Sequence, residues 1–239
     1  MFITRCDWPS GLDTPKRLET LDALVRHWHG EPVRTATPPC VPDFVPPPLQ
    51  WLYQAVGSHA EAAFETSHGK WTSGEPVVCY HWLKHPLRLA TDDQGFVEFC
   101  NKTQGVCQWA TRSQLDDPPV FRRESDHRDW ESHMERLTNY LLVLIVFELT
   151  HGPFPGAWGS MSMNKFRQLV APLAAVDIGR ATLTTDSPCS IFVGEELAVF
   201  SGAMRDELQW VQIAARTTAA LRPLRSLTEW GSWICDEDT

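Results

Sequence analysis

Nucleophilic chemistry needs a thiol or hydroxyl with a base beside it. Two places in this sequence have the residue types. Cys79 stands two residues from His81, and Cys107 lies downstream. Residues two apart on a strand share a face by geometry alone, and no nucleophile signature surrounds either cysteine. Free cysteine is among the most buried residue types, so packed thiols are expected. Metal ligation needs His, Cys or carboxylates converging at fixed distances. The tight histidine pairs are His27-Trp28-His29 and His81 with His85. The second pair shares a face only on a helix, and Pro86 among β-formers argues for extended chain. The carboxylate pairs Asp92-Asp93, Asp116-Asp117 and Glu195-Glu196 have the types for acid–base work. Adjacent side chains point apart, however, and turn formers surround each pair, so solvated turns are expected. No Gly-rich phosphate cradle, Walker loop or G-x-S-x-G elbow occurs. The expectation is therefore no catalytic residue, no metal and no cofactor.

Composition narrows the function classes further. The chain has 239 residues, which fits one large domain or two small ones. Its formal net charge of −9 is spread over both halves, so neither half is a basic nucleic-acid arm. Such a surface repels phosphate backbones and attracts basic partners. Eleven tryptophans imply extensive aromatic packing or contact. Seven cysteines, an odd number without a C-x-x-C pair, argue against a disulfide framework and a zinc knuckle. Met1 to Asp7 lacks the apolar core of a signal peptide, so a reducing cytoplasm is expected.

The elements that would position these residues centre on Ala90 to Thr150. Phe96 to Cys100 alternates as a strand, with Phe96, Glu98 and Cys100 on one side and Val97 and Phe99 on the other. Asn101 to Gly105 supplies turn chemistry, and Val106 to Thr111 returns as a second strand carrying Trp109. Asp116-Asp117-Pro118-Pro119 makes a corner. Ser132-His133-Met134-Glu135 fits a capping box at the start of a helix that is apolar at every position from Tyr140 to Phe147. That run is too short for a membrane span, which needs about 20 apolar residues, so a buried central helix is expected.

Upstream, Thr14 to Trp28 reads as a helix capped by Asp13 or Thr14, with Leu18, Leu21, Leu24, Val25 and Trp28 as its apolar stripe. A Pro-rich bridge over 38–48 leads into a second helix from Pro47, continued in bent form over Ala60 to Phe64. Val77 to Leu83 reads as a strand. Downstream, Gly156 to Met163 is expected to be a loop and Met163 to Ala175 a helix. Arg180 to Thr185, Ser190 to Val193, Leu197 to Gly202 and Glu207 to Ala214 form an antiparallel meander turning at Gly194-Glu195. Thr217 to Leu227 is a last helix and Asp236-Glu237-Asp238 a frayed acidic tail. The pattern gives an α+β fold, a mostly antiparallel sheet packed with a buried central helix.

Several of these stretches resemble one family. Phe96-Val97-Glu98-Phe99 through Gln104-Gly105-Val106-Cys107-Gln108-Trp109 is similar to the strand–turn–strand of the SUKH superfamily. Asp117-Pro118-Pro119-Val120-Phe121 matches its Asp-Pro-Pro-Val-aromatic corner, and Phe147-Glu148 before Gly152-Pro153 its helix end. Leu18 to Gly30, Pro47 to Tyr53 and Ala214 to Thr217 before Leu221 also fit. Lys102-Thr103 stand where the family carries Glu-Asn, while Gln104 matches. The resemblance implies a single SUKH-like domain over 1–239 with an N-terminal helical and Pro-rich segment. It implies a non-enzymatic immunity protein that binds a cognate toxin domain, such as a nuclease, with no nucleic-acid or membrane partner. The turns at Asp92-Asp93, Lys102 to Gln104 and Glu195-Glu196 are the candidate contact groups. The competing readings are a scaffold or regulatory interaction protein and a hydrolase using Cys107 or His81.

Overall fold

The computed structural model describes residues 8, 13–30, 40–59, 69–70, 76–77, 81–102, 105–113, 115–125, 127, 129–151, 154–181, 189–203 and 208–226. The chain divides into two compact units, 12–142 and 143–239 with 1–11. The fold is α+β, built on antiparallel sheets. The helix extension over 60–64, Cys79, Thr103-Gln104, 182–185 of the expected meander and the acidic tail fall outside the described residues.

In the unit of residues 12–142, helix α1 (Thr14–His29) starts as its sequence dictates. The Asp13 side chain accepts from the Lys16 amide at 3.1 Å, Pro15 opens the first turn, and Gly30 ends the helix at φ 79°. Leu21, Leu24, Val25 and Trp28 are buried, as the stripe predicts; Leu18 is only half-buried. The unexpected inward residue is Arg17, 1 % exposed. Helix α2 (Pro47–His59) follows the Pro-rich bridge, and its Tyr53 hydroxyl donates to the Lys84 carbonyl at 2.7 Å.

Of the expected strand over 77–83, the described residues show β2 (Pro76–Val77), paired with β1 (Gly69–Lys70), and β3 (His81–Leu83). From β3 the chain enters a five-stranded antiparallel sheet, β3-β4-β5-β6-β7, with β4 (Phe96–Lys102), β5 (Cys107–Arg112), β6 (Val120–Glu124) and β7 (Glu131–Met134). Gly105 takes φ 68° in the β4–β5 connection, the conformation glycine permits. The register of β4 against β5 shifts between Glu98 and Cys100. A bulge of this kind breaks strict alternation, so Cys100 joins Val97 among the fully buried residues, away from Glu98.

The capping box does not form. Ser132 to Met134 belongs to β7, where Ser132 pairs with Phe121 and Met134 with Val120. Helix α3 (Leu137–His151) begins five residues after Ser132, and its start is capped from the corner instead. The Asp117 carboxylate accepts from the Thr138 amide at 2.9 Å and from the Thr138 hydroxyl at 2.7 Å. A remote carboxylate satisfies the orphan donors that a local serine was expected to satisfy. Arg17 completes this clasp, donating to Thr138 Oγ1 at 3.1 Å and Asn139 Oδ1 at 2.7 Å. Burial pushes the Arg17 pKa down, and nearby Arg136 adds to this, while Asp117 opposes it. Tyr140 packs edge-on against Phe99 at 5.5 Å and tilted against Trp109 at 5.9 Å. Every residue from Leu137 to Thr150 is buried, so the expected central helix is present.

In the unit holding 143–239, the second sheet runs β8-β12-β11-β10-β9, again antiparallel throughout. Its strands are β8 (Gly156–Ser162), β9 (Ala174–Ala181), β10 (Cys189–Val193), β11 (Leu197–Ala203) and β12 (Leu208–Ala215). The segment expected as a loop is thus an edge strand. Seven consecutive pairings with β12 hold it, and they override the weak strand propensity of its glycines and serines. The expected helix over 163–175 stops sooner, as α4 (Met163–Val170), and β9 begins at Ala174 rather than Arg180. Pro223 cuts the last helix to α5 (Thr218–Leu221) followed by a 3-10 turn at Arg222–Ser226.

One face of this sheet, with Met161, Val199, Val211 and Ile213, packs on Phe166 and Leu169 of α4 and Leu221 of α5. On the other face Phe200 meets Phe147 edge-on at 5.3 Å. Gln212 is 5 % exposed there, Nε2 of its amide 2.6 Å from Nε2 of His151. Nδ1 of His151 lies 2.9 Å from the Phe147 carbonyl, so the ring is held between helix end and strand.

Candidate protein-binding surface

The sequence Asp92-Asp93-Gln94-Gly95-Phe96 builds a tight turn into β4. The Asp92 carboxylate accepts from the Gln94 amide at 3.0 Å and the Phe96 amide at 2.8 Å, and Gly95 takes φ 84°. The Asp92 amide donates to the Phe96 carbonyl at 2.9 Å. Asp92 is therefore exposed yet committed to the backbone, and the turn presents Asp93 to solvent.

The remaining candidates separate. Lys102 is half-buried at the end of β4, opposite His81. Gln104 lies outside the described residues. Glu195 and Glu196 are exposed at the tip of the β10–β11 hairpin. A Gly194 amide to Leu197 carbonyl bond of 2.8 Å closes that tip, and the Arg216 amide donates to the Glu196 carbonyl at 3.0 Å. This second acidic turn belongs to the other unit.

What sequence reading missed is the face that β4, β5 and β6 turn away from α3. Register places Phe96 opposite Arg112, Glu98 and Phe121 each opposite Ala110, and Gln108 opposite Arg123. The Phe96 ring contacts Phe121 edge-on at 4.9 Å and Trp130 at 5.6 Å. The Arg112 guanidinium lies over Phe96 at 4.8 Å and Phe121 at 5.6 Å, and Arg123 lies over Trp130 at 4.2 Å. Arg123 also forks onto Gln108 Oε1 through Nε at 2.9 Å and a terminal nitrogen at 2.6 Å. Glu98 is held by Lys84 Nζ at 2.8 Å, with Arg123 at 3.7 Å. Arginine and tryptophan held rigid at a half-exposed face are the groups that anchor protein interfaces. The sequence carried only a faint signal, arginine on strands where a polar face is expected; the pairing that sets them over rings 7 to 16 residues away is invisible without register.

The thiol and imidazole candidates occupy the opposite, inward side. Cys107 is 4 % exposed and accepts from Arg122 Nε at 3.0 Å. Burial pushes its pKa up, opposed by that hydrogen bond and the charges of Arg122 and Lys102. His81 is 3 % exposed and packs on Trp109 with ring centroids 5.1 Å apart. Strand β4 lies between β3 and β5, which separates His81 from Cys107 by about 9–10 Å of strand spacing. They do not form a nucleophile–base pair. His133, on the same side, has its pKa pushed down to about 4 by burial, with Arg122 adding to the effect. Burial lifts the Cys189 thiol to about 12. Among the described residues no three His, Cys, Asp or Glu side chains converge to hold a metal. No helix among them is long and apolar enough to cross a membrane.

The comparisons with known proteins add no name to this geometry: no family model, no curated protein and no solved structure matches the chain.

Proposed function

We propose that the chain is a non-enzymatic protein-binding domain of the immunity type, which neutralises a cognate toxin domain, such as a nuclease, by docking on it. The observation that carries this reading is the face of β4, β5 and β6. It combines the half-buried rings of Phe121 and Trp130 around a buried Phe96, guanidinium groups set over those rings, and a turn that presents Asp93. Two features support it. The strand–turn–strand that resembles SUKH proteins is the β4–β5 hairpin carrying that face. The net charge of −9 favours a basic partner. In a toxin–immunity pair the binder acts by covering the partner's active site, and its charges set the rate of encounter.

The test uses the product of the reading frame directly upstream. Purified and mixed with this protein, it is expected to form a stable complex in which its own activity is lost. Glu195→Lys with Glu196→Lys is expected to slow association several-fold at low salt while leaving the melting temperature within about 2 °C, since rim charges act on the on-rate. Unchanged association at low salt removes the β10–β11 tip from the binding face. No complex, or retained activity in the complex, overturns the immunity reading.

A further inference from the structure

We infer that Arg112 is a recognition group for a carboxylate presented by a protein partner, on the platform formed by Phe96, Phe121 and Trp130. This assignment rests on the protein-binding reading and names the chemistry one point of the surface would take. Arg112 is exposed at the end of β5, and its guanidinium is stacked over two rings rather than paired. Among the described residues no carboxylate lies within ion-pair distance of it. Of the acids around it, Glu98 is paired with Lys84 and Arg123 and Asp92 Oδ1 accepts from two amides, while Asp93 is exposed without an ion pair to Arg112. The stacking orients the planar fork without using its N–H donors, which leaves them to bind a carboxylate in the bidentate manner lysine cannot reproduce.

Charge complementarity fixes the sign of the occupant, and the surroundings fix its class. A phosphate backbone would meet a chain of net charge −9 over many contacts, whereas a single Asp or Glu side chain meets only the local field. At physiological salt charges beyond about 8 Å are largely screened, so the rest of the acidic surface does not prevent this local pairing. The rings beneath are roofed by the two guanidiniums, which leaves little open π-face for stacked bases.

The probe is an N-acetylated, C-amidated octapeptide of Gly and Ser carrying a single central Asp as the acidic group, titrated into the full chain. The Nε–H signal of Arg112 and the indole N–H of Trp130 are followed by 1H–15N NMR. Controls are the Lys octapeptide and an eight-nucleotide oligo(dT). Saturable shifts of both signals with the acidic peptide are expected, at least tenfold weaker binding in Arg112→Gln, and at least threefold weaker binding in Arg112→Lys. Both variants are expected to keep the wild-type amide spectrum. Binding that Arg112→Gln leaves unchanged overturns the assignment. So does the absence of any shift at millimolar peptide, or oligo(dT) binding as tightly as the acidic peptide. Complex formation with the upstream product does not depend on these titrations, so a failed titration with an intact complex removes Arg112 alone.

Discussion

The two five-stranded sheets solve the same problem in opposite ways. In the sheet of β8 to β12, the inner strand β12 buries Val211 through Ala215 without a break, because helices α4 and α5 cover one face and residues of α3 such as Phe147 and His151 meet the other. Among the described residues its interior is mostly apolar, with Phe147, Phe166 and Phe200 beside the aliphatic residues, and Ser201 and the Thr150, Gln212 and His151 set are polar members. In the sheet of β3 to β7, among the described residues, one face packs on α3, while the other holds half-buried Glu98, Gln108 and Arg123 and exposed Arg112 around buried Phe96 and Ala110. Even the inner side admits polar groups: the Arg17 and Asp117 clasp on α3, and His81 and His133 beside Trp109. A strand buried on both faces can present nothing, and a sheet covered on one side has a face free for recognition.

The comparison can be broken first at β12. Ile213→Ala is expected to cost about 3 kcal/mol or more, from lost burial plus an unfilled cavity. Urea unfolding followed by circular dichroism measures it, and a cost below about 1 kcal/mol would mean the strand is not the packed centre described here. Next comes acid. The folded-state pKa of His133, about 4, lies below its ordinary 6.5. The imidazole is therefore neutral in the folded protein where the unfolded chain already binds a proton. Its contribution is fully present above about pH 6.5 and is lost as pH falls toward 4, up to about 3 kcal/mol. Near-UV signal from Trp109 should show the β3 to β7 unit loosening in that window, and His133→Gln should flatten the pH dependence. A profile of the same slope in His133→Gln would assign the acid sensitivity elsewhere.

Smaller effects sharpen the contrast. Asp117→Ala removes the remote cap of α3 and is expected to cost about 1–2 kcal/mol. A matching loss of hydrogen-exchange protection at the Thr138 amide would locate the effect at the helix start. A thermal shift indistinguishable from zero would mean water replaces the carboxylate there.

Much of this fold was legible because its causes are local. Asp13, Pro15 and Gly30 bound α1 within a few residues of the groups they satisfy. The unbroken apolar run of α3 leaves no wetted face in any packing. Gly95 and Gly105 sit where the chain needs positive φ. The candidate site was half legible on the same grounds. Asp92-Asp93 could be placed in a turn from its neighbours, but that Asp92 is consumed by the turn and Asp93 presented required the hydrogen bonds.

The sequence by itself determined helices, turns and the amount of apolar material to be buried, since these follow from periodicity and from each residue's own backbone preferences. Only the tertiary structure decided the rest. Ser132 became strand because β6 pairs with it, and the start of α3 is capped by an aspartate from a corner 21 residues before Thr138. Gly156 to Ser162 became strand through β12, and Arg17 turned inward because α3 offers it two acceptors. The stacking of Arg112 on Phe96 and Phe121 likewise exists only through register. In each case the partner that fixes the outcome is remote along the chain, and pairing energy between distant segments leaves no local trace to read.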